Sequence, residues 1–174
     1  MSFMRKHIKK CLRRLRRLIL IFAVLCVLFN VAFRVIYVDG ESMLPALENG
    51  DWILISRLAT PRRGEIVVTN TDNAQQVRFI KRLIAVGGDV VDIDADGTVF
   101  VNGEALDEPY LKNGAFADGD AVFPLTVPDG CAFLLGDNRE NSVDSRFTEV
   151  GCIPLQNIIG PVFLRLLPMP FQAV

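Results

Sequence analysis

Apolar residues along this chain fall into one long block and a series of short ones. Leu18 to Phe33 (LILIFAVLCVLFNVAF) is sixteen residues with Asn30 as its one polar member. Carried through Arg34 to Val38, the block reaches 21 residues. As a helix that is about 31 Å, against a bilayer hydrocarbon core of about 30 Å. The pattern predicts a membrane-spanning helix over 18–38, with Arg34 near its far end snorkelling to the interface. Beyond it the period changes. Trp52-Ile53-Leu54-Ile55, Ile66-Val67-Val68, Val77 to Val86, Val90-Val91, Thr98 to Val101, Ala132 to Leu135 and Ile158 to Leu167 are short β-rich runs between turn residues. No long segment after the span keeps a 3.6-residue period. Residues 39–174 are therefore expected to form a mainly β domain whose strands close on one another.

Within that domain, Gly88, Gly97, Gly103, Gly114 and Gly119 punctuate 88–127, which reads as a small inserted β lobe. Asn102-Gly103 is a two-residue hairpin signal. Asp92-x-Asp94-x-Asp96-Gly97 opens like a calcium loop. Its twelfth position would be Gly103 instead of a bidentate glutamate, and its flanks are strands. A hairpin with an Asp-Gly turn is expected there. The last stretch, Ile158 to Val174, carries Arg165, Pro161, Pro168 and Pro170 and reads as a terminal strand and tail, not a second span.

Charge gives the span a direction. The net charge is only −1, yet residues 1–38 hold nine Lys/Arg and no acid. Residues 39–174 hold ten Lys/Arg and all twenty Asp/Glu, a net −10. Eight of the cations precede Leu18, which predicts a cytoplasmic segment over 1–17 and places 39–174 outside. Val31-Ala32-Phe33-Arg34 offers no small-x-small cleavage site, so an uncleaved anchor is favoured over a cleaved signal peptide. A nucleic-acid role for the basic head would have to work beside a bilayer and is discounted; no nucleic-acid partner is expected. Cys131 and Cys152 fall in a compartment that permits a disulfide, but two apolar free thiols fit the sequence equally well.

The chemistry is limited by a missing residue. The only histidine is His7, across the bilayer from every other candidate. A Ser-His-Asp or Cys-His arrangement cannot form in the outer domain, and a His-rich zinc site is excluded for the same reason. Ser42, between Gly40 and the Met43-Leu44-Pro45 corner, would need another base. Lys81 sits in the apolar run Phe79-Ile80-Lys81-Arg82-Leu83-Ile84. In a strand it shares a face with Val77, Phe79 and Leu83. Apolar surroundings disfavour the ammonium and lower its pKa. At an ordinary pKa of about 10.4, a free amine at pH 7 costs roughly 4.6 kcal/mol, and at a pKa of about 8 roughly 1.4. Gly136-Asp137-Asn138-Arg139 leads into Ser142, Asp144 and Arg146 at alternate positions, which share one face if extended. Ser142 can hydrogen-bond a lysine amine there, and Asp144 and Arg146 can pair. Taken singly, Ser42 also fits an ordinary turn and Lys81 an edge-strand lysine.

Four boxes in order resemble the bacterial type I signal peptidases of the single-span Gram-positive form. They are Gly40-Glu41-Ser42-Met43-Leu44-Pro45, Arg63-Gly64-Glu65-Ile66-Val67-Val68, Lys81-Arg82-Leu83-Ile84 through Gly88-Asp89, and Gly136-Asp137-Asn138-Arg139 through Asp144-Ser145-Arg146. The resemblance covers residues 34–165. It implies a closed β fold, Ser42 as nucleophile, Lys81 as general base, Ser142 orienting the lysine, and Asp144 and Arg146 in support. It also implies pockets for small side chains at −1 and −3 of a signal peptide. By position, Val38, Gly40, Met43, Leu47, Phe79 and Ile80 would line or border them. Pre-proteins and the lipid bilayer are the implied partners, with no metal, no cofactor and a monomer as the working unit. Ala46, Ala85 and Gly87 depart from the family's usual residues. A Ser–Lys processing peptidase of a specialised secretion or transfer system, and a non-catalytic anchored β-module, are alternatives. A self-cleaving repressor would need a DNA-binding domain where this chain has a span.

Overall fold

The computed structural model describes residues 2–70, 78–111, 114 and 118–167. One helix, α1 (Ser2–Ala32), leads into a domain built of antiparallel strands. These are β1 (Phe33–Tyr37), β2 (Trp52–Ser56), β3 (Ile66–Thr69), β4 (Ile80–Val86), β5 (Val90–Ile93), β6 (Val99–Val101), β7 (Glu104–Ala105), β8 (Leu125–Thr126), β9 (Cys131–Leu135), β10 (Ile153–Pro154) and β11 (Ile158–Leu167). The mainly β expectation holds. Val77 and residues 168–174, read above as strand start and tail, lie outside the described residues.

The anchor differs from the sequence reading. The helix stops at Ala32, and Phe33–Tyr37 forms a strand, so the helix expected to reach Val38 is six residues too long. Phe-Arg-Val-Ile-Tyr favours a pleated chain, and β2 offers it a full ladder from Phe33↔Ser56 to Tyr37↔Trp52. Ile36 is then buried in the core. The Arg57 N–H donates to Ala32 O at 2.8 Å, satisfying one carbonyl of the helix end. Phe33 packs on Phe29 and Phe163, with ring centroids 5.2 and 5.9 Å away. The stretch apolar enough to cross a membrane is Leu12–Ala32, 21 residues of mean hydropathy 2.2, none of it buried within the protein. Arg34 therefore leaves from a strand.

Seven strands form the main sheet in the order β1-β2-β11-β3-β4-β9-β10. β11 spans two neighbours: its first part pairs with β3 and its second with β2, with register shifts in both ladders. Such shifts bend a strand and let a sheet curl around its contents. Inside lies a cluster that includes Val38, Met43, Leu47, Ile53, Ile55, Ile66 and Val68.

The lobe is a separate sheet ordered β7-β6-β5-β8. Asn102 and Gly103 both have positive φ, 55° and 84°, the geometry of the two-residue hairpin expected between β6 and β7. In the loop between β5 and β6, Asp94 Oδ1 accepts from the N–H groups of Asp96 and Thr98, so this acid supports a turn. Cys131 and Cys152 pack against one core cluster and are free thiols.

Candidate active site

Three segments meet around the start of β4. β4 begins at Ile80, so Lys81 is its second residue, paired with Val67 of β3. Its side chain turns into the protein and is 5% exposed. The turn after β1 carries Ser42, which is part-exposed. Lys81 Nζ and Ser42 Oγ are hydrogen-bonded at 2.6 Å, although 39 residues separate them in sequence. Lys81 Nζ also lies 5.8 Å from the centroid of the Phe79 ring.

Burial away from water dominates the charge state of this lysine. It lowers the pKa from 10.5 to about 8, with Arg146 acting in the same direction, while Asp144 and Asp137 oppose it. A desolvated amine beside a hydroxyl is what a lysine base requires.

The polar segment after β9 holds the serine turn in place. The Asn138 N–H donates to Ser42 O at 3.0 Å, and Asn138 Nδ2 donates to Glu41 O at 3.0 Å. The Ser42 N–H donates to no group among the described residues. Gly136 passes so close that a Cβ there would lie 2.2 Å from Ser142 Oγ and 2.6 Å from Ser42 O. No side chain fits at that position.

Asp144 and Arg146 form the expected pair. Arg146 Nε donates to Asp144 Oδ1 at 2.8 Å and Nη2 to Asp144 Oδ2 at 3.0 Å. Both residues are 1% exposed. Arg146 Nη2 also donates to the carbonyls of Arg139 and Ser142, and Asp144 Oδ2 accepts from the Gly136 N–H at 3.0 Å. The pair thus braces the backbone of 136–146. Ser142 differs from its expected role. Its Oγ is buried and has no hydrogen-bond partner among the described residues, so the bond to Lys81 is not formed in this structure.

A cleft of about 510 Å³ opens over the Ser–Lys pair. Val38, Gly40, Met43, Phe79 and Ile80 line it, together with Tyr37, Arg78 and Val143, which the sequence reading did not single out, and Arg34, which it placed at the membrane interface. Leu47 does not. It is fully buried among Val38, Met43, Ile53 and Ile55, because the 43–47 turn folds its i+4 residue under the sheet.

A model of the family described as "Signal peptidase, peptidase S26" matches residues 11–167. "Probable signal peptidase I-2" of Synechocystis sp. is 39% identical over 143 residues, 77% of this chain and 63% of that protein's length. "Signal peptidase I S" of Bacillus subtilis is 38% identical over 151 residues, 79% of this chain and 80% of that one. A crystal structure of a signal peptidase I from Enterococcus faecalis is 34% identical, covering 59% of this chain and 97% of that one, with a TM-score of 0.49. A match along nearly the whole chain and relatives at this identity have one reading: the protein is a peptidase with an N-terminal apolar anchor, and it belongs to the signal peptidase family, peptidase S26.

Proposed function

We propose that the chain cleaves signal peptides from exported pre-proteins, with Ser42 as nucleophile and Lys81 as general base. The 2.6 Å contact between Ser42 Oγ and a buried lysine of lowered pKa carries the reading. In the working state the Ser42 hydroxyl donates its hydrogen to the neutral Lys81 amine. As Oγ attacks the scissile carbonyl, Lys81 takes the proton, and the Ser42 N–H donates to the developing oxyanion. Collapse expels the new amine terminus of the mature protein, which receives the proton from Lys81. Water, deprotonated by the Lys81 amine, then attacks the acyl-enzyme; the bond to Ser42 Oγ breaks, Oγ takes the proton back from Lys81, and the signal peptide leaves with a free carboxyl end. Ser142 supports the lysine once its hydroxyl rotates about Cα–Cβ, since such bonds often tighten only when substrate is bound.

The substrate lies extended between β1 and the chain before β4. β1 is an edge strand of the main sheet, with free backbone groups for a peptide to pair with. Val38, Gly40, Met43, Phe79 and Ile80 beneath that peptide make the floor apolar and shallow, suited to small residues at −1 and −3. The basic head stays in the cytoplasm and the β domain faces outward. The membrane holds the apolar part of the substrate near the site, which lowers the entropic cost of encounter. One chain supplies both Ser42 and Lys81, so a monomer suffices.

The test is cleavage of a model pre-protein by detergent-solubilised full-length protein. Ser42→Ala and Lys81→Ala are each expected to abolish processing while unfolding as cooperatively as wild type. Retained processing by either folded variant refutes the assignment.

A further inference from the structure

The segment Asp107–Leu111 of the lobe takes no part in the chemistry above, yet it carries a nearly buried acid and a half-buried tyrosine. Arg82 follows Lys81 in β4, so the two side chains leave opposite faces of the strand. Arg82 Nε and Nη2 donate to the two oxygens of Asp137 at 2.8 and 2.5 Å, and Nη1 donates to Gly64 O at 2.5 Å. The fourth side of its guanidinium is covered by the Tyr110 ring, 3.8 Å from the centroid. The Tyr110 hydroxyl donates to Glu108 Oε1 at 2.8 Å, and the same oxygen accepts from Arg139 Nη2. Arg139 Nε donates to Gly136 O at 3.0 Å. One lobe segment therefore grips two arginines. One is adjacent to the lysine, and the other hydrogen-bonds the glycine packed against the Ser42 carbonyl. Asp137, between them, precedes the asparagine that holds the serine turn.

We propose that Tyr110 and Glu108 are positioning residues for the Ser42–Lys81 reaction: the lobe clamps Arg82 and Arg139, and through them the spacing of the lysine strand and the 136–138 segment. This rests on the assignment of Ser42 and Lys81 made above. A geometric clamp of this kind has an electrostatic consequence. Lys81 feels Asp144, Arg146 and Asp137 from the 136–146 segment; Arg82 follows it in its own strand, and Arg34, Asp39 and Arg78 line the same cleft. Asp137 favours the ammonium, and Arg82 neutralises Asp137. The Tyr110 ring keeps water off that ion pair and strengthens it. Loosening Arg82 leaves Asp137 less compensated, so the amine of Lys81 should be harder to deprotonate.

The experiment uses full-length protein in detergent and a model pre-protein, with initial rates from pH 6 to 10 for wild type, Tyr110→Ala, Tyr110→Phe and Glu108→Gln. Tyr110→Ala is expected to lower kcat at pH 7 about ten-fold, with KM within about two-fold, and to move the acid limb of kcat up by about half a pH unit. Tyr110→Phe keeps the ring over Arg82 and should restore both the rate and the limb. Glu108→Gln, which weakens the hold on Arg139, should lower kcat without moving KM. Tyr110→Ala with an unchanged kcat and an unmoved acid limb overturns the proposal. So does a loss shared equally by the Ala and Phe variants, because a lost hydroxyl then explains it. So does a fall in kcat with an unmoved limb and a lowered unfolding midpoint, which marks a merely structural role. If Lys81→Ala still cleaves, the Ser–Lys assignment itself fails; if Lys81→Ala is inactive and Tyr110→Ala is normal, only this inference fails.

Discussion

Replacing Lys81 with methionine should make the protein more stable at neutral pH while removing its activity. The side chain is 5% exposed, and burial lowers its pKa from 10.5 to about 8. Holding the ammonium inside below pH 8 therefore costs about 3 kcal/mol relative to the unfolded chain. Methionine has a similar length and no charge to desolvate. It also forfeits the hydrogen bond to Ser42 Oγ, worth about 1 kcal/mol. The net gain at pH 7 is about 2 kcal/mol. Its sign depends on pH. Between about 8 and 10.5 the unfolded wild type binds more protons at this site than the folded one, so wild-type stability rises with pH there. The advantage of the variant is full below pH 8 and shrinks through that window. Above about 10.5 only the lost hydrogen bond remains, and the variant should be the less stable by about 1 kcal/mol. Urea unfolding in detergent, followed by the fluorescence of Trp52, the only tryptophan, measures both proteins at each pH. Equal stability at pH 7, or a gain that does not change between pH 7 and 10.5, refutes the reasoning.

Three further variants probe the surroundings of the pair. Gly136→Ala places a methyl group 2.2 Å from Ser142 Oγ and 2.6 Å from Ser42 O; pre-protein cleavage should fall by at least about a hundred-fold, since displacements of this size separate nucleophile from base. Ser142→Ala removes a buried hydroxyl that has no hydrogen-bond partner among the described residues, so the unfolding free energy should stay level or rise by up to about 1 kcal/mol, while kcat falls if the hydroxyl supports Lys81 during turnover. Asp144→Asn removes the carboxylate that pairs with the buried Arg146 guanidinium and should cost about 3–5 kcal/mol in urea unfolding. It also removes a charge that raises the Lys81 pKa, so the acid limb of whatever activity remains should move to lower pH.

Local patterns and chemical elimination carried much of the sequence reading. Ile66–Thr69 and Ile158–Leu167 could be seen as strands because each is an apolar β-rich run between turn residues. Lys81 stood out because the one histidine, His7, falls in the basic head ahead of the apolar span. The end of the helix was not legible. Phe33 to Tyr37 continues the apolar run, and only the ladder with β2 makes it a strand. Leu47 is a pocket residue by the position the resemblance implies, but the turn rotates it into the core. The two-residue strands β7, β8 and β10 carry too little pattern to detect. The bonds from Asn138 to the serine turn and from Arg82 to Asp137 join residues up to 97 apart. No periodicity records such contacts, because they exist only once three segments have packed together. Arg82, Asp137, Arg139 and Tyr110 were visible as residues, while their association was not.

The charge state of one amine is the centre of this account, and it can be observed directly. The chain has five lysines, so 13C-lysine labelling of the full-length protein in detergent gives few side-chain signals, and Lys81→Arg assigns the one of interest. That signal is expected to titrate at about 8, well apart from lysines at the ordinary value of about 10.4. A Lys81 signal that titrates at the ordinary lysine value of about 10.4 would contradict the account.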